Sequence, residues 1–237
     1  MKYKYPILVI FLLVTSISGA VQAQVVEEYD YSKEFLWGIN KNTRSGLIGG
    51  LYLKFANRLE KDVYRFIDFE LLDVRHPKEG RELSYNGRYY LFGKSKSLYS
   101  MRFRYGLERI IFKKAHQQGV QININAAVGP TLAFSKDYYI LLRDGSSVPY
   151  DPYLHSYTSI AGAGSVLDGM NDIKLIPGIN GKLGIIFEFG VFRRSVIGLE
   201  MGVAVELLSK KEIIVANAKN SVFFPSAYIT IIWGTRR

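Results

Sequence analysis

Apolar and polar residues alternate almost without error between positions 98 and 112. The apolar set consists of Tyr99, Met101, Phe103, Tyr105 and Leu107. The residues between them are Ser100, Arg102, Arg104, Gly106 and Glu108. Because successive side chains of a β-strand point to opposite faces of a sheet, this segment predicts a strand with one apolar face and one ionic face.

The same period of two recurs along the rest of the chain, and no long stretch favours the helical period. We therefore predict about eight strands, at residues 35–40, 46–55, 63–74, 98–112, 120–134, 178–190, 196–208 and 222–234. From the second strand onward short and long links alternate, and the longest link covers residues 135–177. Outer-membrane barrels join their strands in this way, with short periplasmic turns and longer outer loops.

The first 23 residues have the composition of a secretory signal. Lys2 and Lys4 precede an apolar run at 7–14, and the segment ends in the small residue Ala23. The run is shorter than the roughly 20 residues of a spanning helix, so we predict cleavage, with an uncleaved anchor as the alternative. The predicted divisions are a signal peptide at 1–23, an N-terminal periplasmic segment at 24–34 and a barrel at 35–237.

Alternation alone fits both a soluble barrel, which buries its apolar face, and a membrane barrel, which turns that face to lipid. The predicted strands are long for a soluble protein, and their polar face is rich in Gly, Ala, Ser and Asn, which suits a narrow lumen. The aromatic residues expected at the membrane interfaces are Trp37, Phe55, Tyr99, Phe189 and Trp233. The pattern therefore favours a closed, antiparallel, up-and-down transmembrane β-barrel.

Over about residues 35–233 this layout resembles the small eight-stranded outer-membrane β-barrel family, which includes the transmembrane domain of OmpA. The resemblance lies in the arrangement of strands and links rather than in a fixed motif. It implies a place in the outer membrane of a Gram-negative bacterium and assembly by the barrel-insertion machinery. Many members end in an aromatic residue, whereas four residues follow Trp233 here, so the assembly signal is displaced.

Charged residues on the inward face of a narrow barrel must pair or stay hydrated. The inward set comprises Asp68, Glu70, Arg102, Arg104, Glu108, Lys182, Glu188, Glu200 and Glu206, together with Lys54. We expect an ionic network centred on Arg102 and Arg104, with Glu70 or Glu200 among its partners. Because eight strands enclose a space that side chains fill, we predict a charged plug that fixes strand register, with an ion path or proton relay as the alternative.

Little in the sequence points to catalysis. The chain has no cysteine, which excludes disulfides and thiol nucleophiles, and its three histidines, His76, His116 and His155, fall in different links. We therefore predict no catalytic, cofactor or metal site. A lipid A-modifying enzyme is the alternative, and it would pair His155 with Ser156, or His76 with Ser84, as base and nucleophile.

The links carry the remaining candidate chemistry. Loss of Lys2 and Lys4 with the signal lowers the formal charge from +10 to +8, and the link at 76–97 is rich in Lys and Arg, which suits lipid and lipopolysaccharide phosphates. Tyrosines and aspartates of the longest link suit a glycan or protein ligand, while their spacing matches no calcium loop. The run at 161–165 predicts a flexible loop, and no nucleic-acid-binding motif is present. We predict a structural or surface-binding role, with an accessory part in a secretion or transport assembly as a further alternative.

Overall fold

The computed structural model describes residues 31–46, 49–113, 119–189, 194–216 and 218–237. The strands are β1 (Lys33–Asn42), β2 (Gly50–Glu60), β3 (Val63–Val74), β4 (Gly80–Leu83), β5 (Tyr89–Phe92), β6 (Lys96–Phe112), β7 (Gln121–Asp137), β8 (Tyr139–Leu142), β9 (Ser147–Pro149), β10 (Ile160–Ala163), β11 (Lys174–Phe189), β12 (Ser195–Leu208) and β13 (Phe223–Arg236). Eight of them close into an antiparallel barrel in the order β1-β13-β12-β11-β7-β6-β3-β2, which confirms the predicted fold. The predicted signal peptide and residues 24–30 of the predicted periplasmic segment lie outside the described residues.

The barrel is polar inside and apolar outside. On β6, Phe103 has an exposed fraction of 43%, whereas Arg102 and Arg104 expose only 3% each. On β12, Val203 is 55% exposed and Glu206 only 1%. A soluble barrel would show the reverse distribution, because water would face the ionic row and the core would hold the apolar row. The soluble alternative is therefore wrong for this chain.

The strands are staggered by ten residues around the barrel. Following paired residues from Thr235 through β1, β2, β3, β6, β7, β11 and β12 returns to β13 at Pro225, ten positions earlier. Such a stagger tilts the strands and, with eight of them, leaves an interior that side chains fill. Gly106 shows how tight this interior is, since a Cβ there would lie 2.6 Å from the ring of Phe66.

The barrel has a terminal end and a loop end. At the terminal end the backbone N–H groups of Ser32 and Lys33 donate to the carbonyl of Arg237, and the short connections β2–β3, β6–β7 and β11–β12 lie there. At the loop end lie the connections 43–49, 75–95, 138–173 and 209–222. Strands β6 and β7 have 17 residues each whereas β1 has 10, so one side of the wall is extended.

The two longest connections contain structure that the sequence period did not predict. Strand β4 pairs with β5, and β10, β8 and β9 form a three-stranded sheet. Residues 161–163 of the run predicted as flexible belong to β10, a correction that follows from the buried cluster of Tyr90, Ile140, Tyr150 and Ile160 beneath these strands. We call residues 80–92 and 139–163 the loop platform. Among the described residues, no helix is long and apolar enough to cross a membrane.

Candidate functional site

The predicted lumen charges meet in a cross-barrel network. Arg102 contacts Glu70 at 3.3 Å and Glu206 at 2.5 Å, and Ser100 donates a hydrogen bond to Glu206. Arg104 lies 3.1 Å from the same Glu70. β12, which carries Glu206, is three strands away from β6, so these contacts cross the interior rather than follow one edge. The network therefore links opposite walls of the barrel.

Lys182 extends the network toward the other side of the lumen. Its ammonium lies 3.0 Å from Asp68, which also accepts a 2.7 Å hydrogen bond from Arg104, and 2.9 Å from Glu200. Tyr228 donates to Glu200 at 2.7 Å. All ten sequence-predicted lumen residues are at least 95% buried. Of the two carboxylates expected beside the central arginines, Glu70 contacts both, while Glu200 contacts Lys182 instead.

A second ionic cluster lies toward the terminal end. Arg236 pairs with Glu188 and lies 3.0 Å from Glu34, and Lys54 pairs with Glu108. The sequence analysis missed two of these residues, because it ended the last strand at residue 234 and began the barrel at residue 35. The alternation of inward and outward residues could have found Arg236. If the last strand is continued by two residues beyond 234, the alternation places Arg236 on the inward face.

Apolar and aromatic side chains close both ends of the lumen. At the loop end, Ile214 and Val215 of the 209–222 connection pack on a buried apolar cluster of inward strand residues that includes Leu98 and Phe224. We call this arrangement the apolar cap. The side chain of Asn220 fixes it, since its oxygen accepts the N–H of Ile214 at 2.9 Å and of Val215 at 3.2 Å.

At the terminal end, two tyrosines close the lumen. The ring of Tyr31 stacks on Tyr64 with centroids 4.6 Å apart, and the Arg236 guanidinium lies 4.0 Å from the Tyr31 centroid. The hydroxyl of Tyr64 donates to the carbonyl of Tyr31 at 3.2 Å. Between these tyrosines and the apolar cap the interior is occupied by paired charges.

The predicted interfacial aromatics all lie on the outer wall, although not all at strand ends. Trp37 stacks on Trp233 across β1 and β13, with ring centroids 5.1 Å apart. Trp37 and Phe55 lie in the middle of β1 and β2, and Phe55 does so because β2 continues to Glu60, beyond its predicted end. Phe189 ends β11, and Tyr99 lies near the loop end of β6. Their assignment to membrane interfaces stays a prediction.

A cleft of about 300 Å³ opens between the loop platform and the barrel wall at the loop end. Charged side chains from four segments line it: Asp73, Arg75, Arg81, Lys94, Lys136 and Asp137. Tyrosines form much of the remaining wall: Tyr89, Tyr90, Tyr99, Tyr138 and Tyr139. Burial raises the pKa of Tyr90 and Tyr138 above that of a free tyrosine, so their hydroxyl groups stay protonated over a wider pH range.

The histidines and their serine candidates do not form nucleophile–base pairs in the described chain. His76 and His155 each accept a backbone N–H of their own loop at Nδ1, at 3.1 Å in both cases. Ser84 donates to a carbonyl of β10 at 3.0 Å, and Ser156 bonds a threonine hydroxyl at 3.3 Å. His116 lies outside the described residues. Within the described ranges no cluster of three or more His, Asp or Glu side chains is placed to hold a metal ion.

These features define the class of the protein: a closed, eight-stranded antiparallel β-barrel with an apolar outer wall and a filled ionic lumen. Among solved structures the chain is similar to Neisserial surface protein A (12% identity, TM-score 0.41, 87% of this chain and 97% of that one). It is also similar to Ail, the attachment invasion locus protein of Yersinia pestis (9%, 0.43, 88% and 99%), and to the outer membrane protein OprG of Pseudomonas aeruginosa (8%, 0.36, 90% and 99%). No protein-family model and no curated protein matches the chain.

Proposed function

We propose that this protein is an outer-membrane barrel, exported behind a cleaved signal peptide, whose lumen is a structural plug and whose loop end binds a ligand outside the cell. The observation that carries the proposal is the pairing of a lumen closed at both ends with loops that fold into a platform and a cleft. Under this proposal the barrel anchors the protein in the membrane, and the loop end binds the ligand.

The outer wall supports the membrane placement. Large apolar side chains stand on every barrel strand with exposed fractions up to 66%, as at Val128, and they form a continuous surface around the barrel. Monomeric soluble proteins rarely expose an apolar patch of more than a few hundred Å², because such a surface drives association in water. A bilayer covers this wall, and the closed strand ring satisfies every strand edge, as a spanning structure requires.

The interior supports a role in structure rather than in conduction. An ion crossing the lumen would have to pass the apolar cap, two layers of paired charges and the stacked rings of Tyr31 and Tyr64. Buried pairs of this kind hold register, because a strand shifted by one residue would send its charges to the lipid face. The protein's partners under this proposal are lipid and lipopolysaccharide around the wall and the insertion machinery during assembly.

Fractionation and conductance measurements test the proposal. The full chain expressed in a Gram-negative host should be recovered in the outer membrane, should begin at Gln24, and should change its gel mobility on boiling, as folded barrels do. In planar bilayers the purified protein should give no steady open-channel current. A soluble monomer without detergent, or a steady open channel, would show that the proposal is wrong.

A further inference from the structure

We infer that the cleft beneath the loop platform is a binding site for an anionic sugar, an inference that rests on the proposed exposure of the loop end to the outside. The cleft collects cationic side chains and tyrosine rings from the β3–β6 connection, the end of β7 and the loop platform. These are the two kinds of group that a sugar ring bearing phosphate, sulfate or carboxylate requires.

The charge of the cleft favours an anion. Four cationic and two acidic side chains line it, and Glu79, outside the lining, pairs with one of the cations, so one positive charge remains in excess. Arg75 is paired with Asp73 at 2.7 Å, but Arg81 is exposed to solvent at the rim. The Arg81 guanidinium offers a planar set of donors that matches a phosphate, sulfate or carboxylate group.

A buried cation lies behind this rim. Lys136 is 7% exposed, and its ammonium donates to the backbone carbonyls of Val166 and Asp168 rather than to a carboxylate. A second buried cation, Lys94, is neutralised by Glu79 at 3.2 Å. The two carbonyl partners bond the Lys136 ammonium without neutralising its formal charge, so this charge adds to the positive charge of the cleft.

The aromatic wall favours a sugar over a bare anion. Tyr89 is 63% exposed and Tyr139 is half-buried, so parts of both rings are open to a ligand. A tyrosine offers an apolar ring for the C–H face of a sugar and a hydroxyl for its polar edge. The volume of about 300 Å³ is at the lower limit of ligand sites, which suits one or two sugar rings of a longer glycan.

The cleft is held by bonded backbone rather than by loose loops. Tyr138 fixes its floor, because its hydroxyl accepts the N–H of Leu91 at 3.0 Å and its backbone N–H donates to Ser95 at 2.9 Å. Gly164 donates to the carbonyl of Tyr139 at 2.8 Å and ties the far wall to β8. A pre-formed site of this kind loses little conformational entropy when it binds.

Calorimetric titration of the full mature chain in zwitterionic nanodiscs tests the inference. The probes are a monosulfated disaccharide, N-acetylglucosamine 1-phosphate, the uncharged disaccharide and an acidic tetrapeptide. We expect both charged sugars to bind at least about tenfold more tightly than the uncharged sugar, and to weaken with rising salt. Tighter binding of the peptide than of either charged sugar would overturn the sugar assignment.

Matched variants locate the binding. Arg81→Ala and Tyr89→Ala should each weaken the charged sugars about tenfold, and Ala163→Phe, which fills the cleft, should abolish binding. Arg143→Ala and Tyr157→Ala are the controls, since they remove an arginine and a tyrosine of the loop platform that do not line the cleft. Equal losses in the controls, or unchanged binding in Ala163→Phe, would overturn the inference.

Two further measurements distinguish where the sugar comes from and, for a negative result, which of the two proposals is wrong. The titration is repeated in nanodiscs that contain a phosphorylated outer-leaflet glycolipid. If the ligand is the membrane's own lipid, this glycolipid should block the soluble probes; if the ligand is a glycan from another surface, the probes should still bind. Either result supports an anionic sugar as the ligand. If the chain shows no heat-modifiable mobility, the proposed function itself is wrong. If the barrel is folded but binds charged and uncharged sugars equally, only the assignment of the cleft to an anionic sugar is wrong.

Discussion

Arg102 is the residue whose contacts tie the two halves of the lumen together. It bridges Glu70 on the neighbouring strand and Glu206 three strands away. The alternation of residues along each strand predicts that the three side chains point inward. Their pairing does not, because Glu206 lies 104 positions from Arg102 and reaches it only when the ring closes with a ten-residue stagger.

We expect Arg102→Met to lower the free energy of unfolding by about 3–5 kcal/mol, because it leaves the Glu206 carboxylate buried without its cation. Urea titration in lipid vesicles, followed by heat-modifiable mobility, measures this. Arg109→Met, on the exposed face of the same strand, is the control and should change stability little. Adding Glu206→Gln to Arg102→Met should restore much of the loss; no recovery would mean that packing rather than charge sets the cost.

Two glycines, one on β6 and one on β11, make a sharper test of which face is enclosed. A Cβ on Gly106 would meet Phe66 and Ala127, both at 2.6 Å, whereas a Cβ on Gly181 would have only the Ala127 carbonyl at 3.5 Å. Gly106→Ala should therefore cost about 1–3 kcal/mol, and Gly181→Ala should be close to neutral. Equal midpoints in urea for the two variants would contradict the assignment of inner and outer faces.

At the scale of elements, the sequence predicted the barrel strands better than the loops. A strand of ten or more residues shows its period without reference to the rest of the chain. Strands β8, β9 and β10 have three or four residues each, too few to show a period. Their core also depends on Tyr90, which lies 50 positions before Ile140. The cleft could not be predicted for the same reason, since it exists only where these distant segments meet.

Tyrosines in and directly beside the loop platform give its stability a pH dependence. Burial raises the pKa of Tyr90, Tyr138 and Tyr150 above the ordinary value of 10.0, so these hydroxyl groups stay neutral in the folded platform. In the unfolded chain they ionise near pH 10, so their contribution is complete below that pH and is lost as the pH rises beyond it. Proteinase K should cut residues 139–163 several-fold faster at pH 11 than at pH 8.

Tyr90→Phe provides the control for this alkaline effect. The variant keeps the buried ring, loses the 3.3 Å hydrogen bond to Glu82, and removes one ionisable hydroxyl. Its cutting rate should therefore rise less between pH 8 and pH 11 than that of the natural chain, while the barrel stays resistant. An equal rise would assign the effect to groups outside the tyrosine cluster.

At the scale of the whole molecule, the absence of cysteine makes orientation directly measurable. Leu154→Cys, in the 138–173 connection, should react with a membrane-impermeant maleimide on intact cells. Glu60→Cys, at the terminal end of β2, should react only after the outer membrane is permeabilised. Labelling of Glu60→Cys alone on intact cells would reverse the proposed orientation.

The unequal height of the barrel wall bears on how the loop end meets its surroundings. Strand β6 is seven residues longer than β1, which is about 23 Å along the strand at ~3.3 Å per residue. The connections that form the platform start from these longest strands, β6, β7 and β11, and from β3. The loop platform therefore stands on the taller side of the barrel wall, farther along the strand direction than the loop end of β1.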